Sequence, residues 1–245
     1  MDREIADERR QDDMLQAYLE GMSQLLTDKD RPLHEARMGD SLSTVARAST
    51  LTVLNRLGRV RKRSVVQFLY ESRLIRSSAE EEEPIVSLRG ADLSKADLSN
   101  TCLEGANLEG ADLRGADLND AILSWANLRR SDLTGAILRM TKSIETDLSS
   151  SDLTRADLSE AILQRSNLSD ATLEDAVLRK ASMEGANLMG ARRSTERDTT
   201  LMWSSQAIPN EEIFHQVLSL EGATMPNGQK YEDWLKDREK RQQDE

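Results

Sequence analysis

The sequence predicts a mainly β chain in which one repeat domain coils about its own axis, with an α-helical segment before it and a short helical tail after it. Three observations carry that reading. Leucine recurs at every fifth residue from Leu88 to Leu188, and of these twenty-one positions only Ser143 and Met183 depart from it. From Ala91 on, a small residue stands two before each, mostly Ala, with Thr or Ser at 101, 131, 141, 146, 151 and 166. Before Leu88 the apolar residues follow a 3.6-residue period instead. A five-residue phase held over this length marks a stacked repeat.

Residues 1–79 read as three helices. Met14, Leu15, Tyr18, Leu19, Met22, Leu25 and Leu26 form an apolar stripe on a helix that starts near Arg3. A turn containing Pro32 and Gly39 follows. Ser41 is the expected cap of a second helix carrying Leu42, Val45, Leu54 and Leu57, which Gly58 stops. A third helix, near Val60 to Ile75, presents Val65, Val66, Phe68 and Leu69. The Glu80–Glu83 run and Pro84 mark 80–85 as a solvated linker.

Residues 86–192 fit neither common element. Five steps along an α-helix turn a side chain by roughly 140°, which would spread the leucines around the whole surface. On a flat strand the side chains alternate with period two, and every second Leu would face water. The pattern resolves if inward positions come in steps of two, then three: Ala91 and Leu93 point in, a corner turns, then Ala96 and Leu98 point in. The chain must coil, with one short straight face per pentapeptide.

The A(D/N)LxG runs at Ala106-Asn107-Leu108-Glu109-Gly110 and Ala111-Asp112-Leu113-Arg114-Gly115 resemble the pentapeptide-repeat proteins. The resemblance implies a right-handed quadrilateral parallel β-helix with four pentapeptides per coil. The leader segments LQAYLEGMSQLL, ARASTLTVLNRLG and KRSVVQFLYES, and the tail EGATMPNGQKYEDWLKDRE, are similar to a bacterial subfamily common in cyanobacteria and actinobacteria. Membrane-spanning helices precede this leader in many such relatives, so the chain is either a naturally soluble member or a piece of a longer, membrane-anchored protein. Over 193–245 the expectation is a loop, a helix capped by Asn210 through Ile213, Phe214 and Leu218, a final repeat at Leu220, Ala223 and Met225, and a cap. Tyr231, Trp234 and Leu235 are the candidate capping residues.

Coils of twenty residues sort the outward positions by face. One face reads Ser87, Asn107, Asn127, Asp147, Asn167, Asn187, a ladder able to hydrogen-bond from coil to coil. The next reads Asp92, Asp112, Asp132, Asp152, Thr172. Carboxylates stacked about 4.8 Å apart repel by about 1 kcal/mol even in water, so these should accept backbone N–H groups at the corners. The third reads Asp97, Asp117, Ile137, Asp157, Val177, and the fourth Cys102, Ile122, Lys142, Ile162, Ser182. Ile122, Ile137, Met140, Ile144, Ile162 and Val177, with the stem of Lys142 over them, form a candidate contact patch across the last two faces. An apolar patch of this kind marks contact with something: the chain's own helices, a second copy, or a foreign partner. Trp125, at a corner, is expected to pack against flanking helices. Ser143 breaks the Leu column. The phase resumes at Leu148 without an insertion, so Ser143 should face inward, its hydroxyl on a backbone carbonyl, and Ile144 outward.

Catalytic chemistry is sparse. His34 and His215 stand far apart, and no Cys or carboxylate cluster has metal-ligand spacing. No phosphate-cradling glycine motif occurs, and Cys102 has no His or Lys beside it in its stack. No cofactor is expected, and the chain does not read as an enzyme. The single cysteine fits a reducing compartment, and the charged opening has no secretory signal, which together indicate the cytoplasm, or the membrane periphery for a fragment. The net charge of −11 argues against direct nucleic-acid binding. The reading that results is a non-enzymatic structural or interaction module that docks partners or itself. The alternatives are a DNA-mimicking inhibitor or protector of DNA gyrase, as some pentapeptide-repeat proteins are, and more remotely an enzyme. Against the mimic, the repeats mix Arg89, Arg114, Arg129, Arg130, Arg139, Arg155, Arg165 and Arg179 among the acids.

Overall fold

The computed structural model describes residues 2–76, 84–192, 217 and 219–243. The charge run at 80–83, the helix expected after Asn210, and His215 lie outside these residues. Three helices open the chain: α1 (Asp2–Thr27), α2 (Ser41–Leu54) and α3 (Arg59–Glu71), with a 3-10 turn at Leu33–Glu35 between the first two. Their shared core is Met22, Leu33, Ala46, Leu54, Val65, Val66 and Leu69, all fully buried. Tyr18 enters it edge-on to Phe68 and bonds the Thr50 hydroxyl at 2.9 Å. Two local expectations shift. Asp40, not Ser41, precedes the first turn of α2, and its carboxylate accepts the Arg37 N–H instead of a helix N–H. Gly58 belongs to the start of α3, where its N–H donates to Gln11 Oε1 at 2.7 Å. Val45, expected on the apolar side of α2, faces solvent.

From Asp92 onward the chain coils. Each pentapeptide places one residue in a parallel bridge with the residue twenty further on: Asp92 with Asp112, Asp97 with Asp117, Cys102 with Ile122, Asn107 with Asn127, and so on to Thr172 with Arg192. Twenty residues, four pentapeptides, therefore complete one turn. Among the described residues no strand longer than a single bridged position forms, which narrows the mainly β expectation to a ladder of isolated bridges. The cause is the corner. Two residues of every five turn the chain, so only the one between the two inward positions can pair.

The corner repeats with one geometry. The Ala96 N–H donates to the Leu93 carbonyl at 3.1 Å, and Lys95 before it has φ of 54°. The fifth residue of every pentapeptide from Gly90 to Gly190 is left-handed in this way, fourteen of them not glycine. A left-handed L-residue costs about 1 kcal/mol or more, so the coil's hydrogen bonds, not glycine, impose the corner. Between coils, the Leu93 N–H donates to Asp112 O at 2.8 Å and the Asp112 N–H returns to Ala91 O at 3.0 Å. The Leu column is buried from Leu88 to Leu188, and Ser143 and Met183 are buried with it. Of the first three positions just after the column, Arg89 is exposed. Ser94 and Ser99 are half-buried because their hydroxyls turn back onto Asp92 at 2.6 Å and Asp97 at 2.7 Å.

The helices sit on the open edge of the first coil. In every later coil the bridged N–H donates to the coil before; in the first there is none, and α3 supplies the acceptor, with the Asp97 N–H on Arg59 O at 3.1 Å. Lys62 reaches Asp92 at 2.9 Å, Arg63 reaches Asp97 at 3.7 Å, and Arg76 reaches Glu104 at 2.8 Å. At the other end the repeat resumes beyond the undescribed stretch: Ser219 bridges Ser182, Thr224 bridges Asn187, and Leu220, Ala223 and Met225 are buried. The helix α4 (Tyr231–Gln243) follows. Among the described residues no helix is long and apolar enough to cross a membrane.

Candidate functional site

Each acid of the repeat faces has a local duty. Asp92, Asp97, Asp112, Asp117, Asp132, Asp152 and Asp157 each accept the N–H two residues on, at 2.9 to 3.3 Å. The Asn face also bonds between coils: Asn167 Nδ2 donates to Asp147 at 3.3 Å and Asn187 Nδ2 to Asn167 at 3.1 Å. Cations lie across the coils from acids: Arg129 with Asp147 at 3.8 Å, Arg155 with Asp175 at 3.8 Å, Arg165 with Glu145 at 3.4 Å, Lys180 with Glu160 at 3.8 Å. Arg114 holds Asp112 in two bonds and lies 3.6 Å from Asp132. This neutralises the acidic face locally. Among the described residues no group of three or more His, Cys, Asp or Glu side chains could hold a metal ion.

Other outward positions of the repeats carry apolar side chains. Ile122, Ile137, Met140, Ile162 and Val177 are each 36% to 44% exposed. Bridges through Lys142 stack Ile122 and Ile162 on the fourth face, and bridges through Asp157 stack Ile137 and Val177 on the third. Met140 stands at the corner between these faces. Ile144 is half-buried on the far side of Lys142. The described helices leave this strip open: those before the repeats pair with Asp92, Asp97 and Glu104 of the first coil, and α4 packs at the other end, where the Tyr231 N–H meets Ala223 O. Trp125 also departs from expectation. It is 57% exposed at a left-handed corner, with only its indole N–H engaged, on Glu145 at 3.3 Å. The backbone of Lys142 keeps the ladder, while its ammonium makes no hydrogen bond or ion pair among the described residues.

Beneath the strip the core turns polar. Ser143 faces inward, and its N–H keeps the ladder through Ile162 O at 2.8 Å, so no bulge forms. Its hydroxyl donates to the Thr141 hydroxyl at 3.3 Å, not to a carbonyl as expected; Thr141 Oγ1 in turn donates to Leu138 O at 2.9 Å. Thr146 donates to Leu123 O at 2.8 Å, and the Ser166 hydroxyl to Ser143 O.

The family model for pentapeptide repeats matches residues 86–192 in eight copies. A pentapeptide repeat protein of the Arabidopsis thaliana thylakoid lumen is 32% identical over 42% of this chain and 70% of its own, with a TM-score of 0.28. The chain belongs to the pentapeptide-repeat family. A pentapeptide-repeat protein of the cyanobacterium Cyanothece 51142 is 33% identical over 45% of this chain, with a TM-score of 0.31; the chain spans little more than half of it, 57%. HetL, a pentapeptide-repeat protein involved in heterocyst differentiation regulation in Nostoc sp. strain PCC 7120, is 29% identical over 60% of this chain and 77% of its own, with a TM-score of 0.22. No curated protein matches this pentapeptide-repeat chain by sequence.

The candidate capping residues of the pentapeptide-repeat domain lie together at its far end. Trp234 is buried, Tyr231 stacks on it at 6.1 Å, and Tyr231 and Leu235 pack half-buried against the core. The Tyr231 N–H donates to Ala223 O at 3.0 Å. Sequence reasoning missed Lys62, Tyr70 and Met189. Lys62 could have been found, since it shares an i, i+3, i+7 stripe with Val65 and Leu69 and is buried with them. Tyr70 bonds the Cys102 thiol, which, with burial, raises the phenol's pKa; nothing local in the sequence joins these two. Met189 is exposed at a corner near the far end. His34 is exposed beside Glu35, 4.0 Å away.

Proposed function

We propose that this chain is a non-enzymatic protein-interaction module: a right-handed, four-sided β-helix held rigid by its Leu column and capped by helices, whose third and fourth faces dock a protein. The observation that carries this is the exposed strip of Ile122, Ile137, Met140, Ile162 and Val177. Every other repeat face is occupied by corner bonds and cross-coil ion pairs, and aliphatic side chains left in water across three coils have no such internal use. The test is comparative capture with the intact chain. Proteins retained by wild type and lost with an Ile122→Asp/Ile162→Asp variant of unchanged melting temperature support the module; identical retention by both refutes it. A gyrase supercoiling assay run alongside is expected to show no inhibition, since the cations interleaved with Asp112, Asp147 and Asp175 break the continuous negative field a DNA mimic requires.

A further inference from the structure

Lys142 stands between Ile122 and Ile162 in one stack, bridged to both. At about 4.8 Å per coil, the two isoleucines lie about 10 Å apart with an ammonium midway. An α-helix rises 1.5 Å per residue, so residues i and i+7 on one face are also about 10 Å apart, with i+3 and i+4 between them. The corner residue Met140 and Ile137 border the stack on one side, and Trp125 rises at the corner on the other.

We propose that this strip seats one amphipathic α-helix of another protein, lying along the coil axis, with aliphatic residues on Ile122 and Ile162 and a carboxylate on Lys142. The inference rests on the interaction-module reading and names the partner of that site. Charge selects the occupant. The neighbouring cations Arg139, Arg165 and Lys180 have acids across the coil, whereas Lys142 has none among the described residues. A second copy docked about an axis through the strip's centre would set Lys142 against Lys142, a repulsive pair in a desolvating contact. A nucleic acid meets a chain of net charge −11. The core under the strip points the same way. Ser143 replaces a buried Leu where Lys142 and Ile144 flank it outside, so this coil gives up inner packing where it displays apolar side chains. A local breach of the inside-outside rule is the mark of a functional surface.

The test uses a display library of helical 18-residue peptides against the intact, immobilised chain, with fluorescence anisotropy on the selected peptides. Wild type is expected to enrich peptides with Asp or Glu three or four residues from an aliphatic on each side. Lys142→Glu should weaken those peptides at least tenfold and enrich Lys or Arg at the same place, and Ile162→Asp should abolish binding; circular dichroism melts establish that both variants fold. Peptides selected without an acid, or bound equally by Lys142→Glu, overturn the inference. Light scattering provides the separate arm. A dimer that Ile162→Asp converts to monomer leaves the module standing but gives the strip to a second copy, and the helix inference falls. If selected peptides, mass and captured proteins are all unchanged by Ile162→Asp, the module reading falls with it.

Discussion

The ammonium of Lys62 lies 2.9 Å from Asp92 Oδ1 and 3.3 Å from the Ser94 carbonyl, almost fully buried where α3 meets the first coil. Among the ion pairs that join the helices to the repeats, its cation is the most deeply buried. Lys62→Met keeps the apolar stem and strands the carboxylate, and should lower stability by about 2 kcal/mol in guanidinium melts. That lies below the 3–5 kcal/mol of a fully buried pair because Asp92 keeps contact with water.

The same carboxylate sets an acid limit. Burial raises the pKa of Asp92, but the Ser94 hydroxyl, the Lys62 ammonium and the Ser94 N–H outweigh it and hold it below the usual value. Asp97 is lowered by the Ser99 hydroxyl first and Asp112 by Arg114 first, each against burial. These groups are more acidic folded than unfolded, so the unfolded chain binds more protons as pH falls. Their contribution is complete above about pH 5 and is lost as pH drops below about 4. Melts from pH 7 to 3 should show a plateau and then a fall, shallower in Asp92→Asn.

Leu133, wholly buried in mid-stack, measures the column. Leu133→Ala should cost about 3–4 kcal/mol, and Leu133→Asp should prevent folding, read by loss of the cooperative melt. Ile144→Ser, one place off the column and half-exposed, should cost less than about 1.5 kcal/mol. A loss as large as that of Leu133→Ala would place Ile144 inside.

Much of this was legible because pentapeptide spacing is a steric rule. Leu88 to Leu188 could be assigned to the axis from the five-residue period, and Ile122 and Ile162 to one outer face once the resemblance implied four pentapeptides per coil. The inward turn of Ser143 followed from the unbroken phase. Its partner did not, since whether a hydroxyl finds Thr141 or a carbonyl depends on tenths of an ångström. The helix docking was illegible in detail because Arg59, Lys62 and Arg63 meet Asp97 and Asp92 across some thirty residues of chain. Trp125 was misplaced for a related reason: a left-handed corner throws its side chain outward, and no described helix extends that far.

The corners give an opposed pair. Ser150 is left-handed at φ 58°, and Gly135 at φ 65° has nothing within 4 Å of where a Cβ would stand. Ser150→Gly should raise stability by about 0.5 kcal/mol, the relieved backbone exceeding glycine's entropy cost. Gly135→Ala should lower it by about 1 kcal/mol. Calorimetry on both decides whether the corner or the residue is dominant.

Removing residues 1–84 takes the Arg59 carbonyl and Lys62 from the first coil and exposes its edge. The shortened protein should associate with rising concentration in light scattering. A truncated chain that remains monomeric at high concentration would show that the helices do not serve as a cap.

Since each residue bridges the one twenty further on, sequence number works as a compass bearing around the rod. Loss of one pentapeptide, say 147–151, would swing everything beyond it by a quarter turn. Ile162 would leave Lys142 and come to rest against Ile137, and Asn167 would take its place. Substitutions repaint a face, whereas length changes rotate it, and only gains or losses of a whole coil keep Ile122, Lys142 and Ile162 in line.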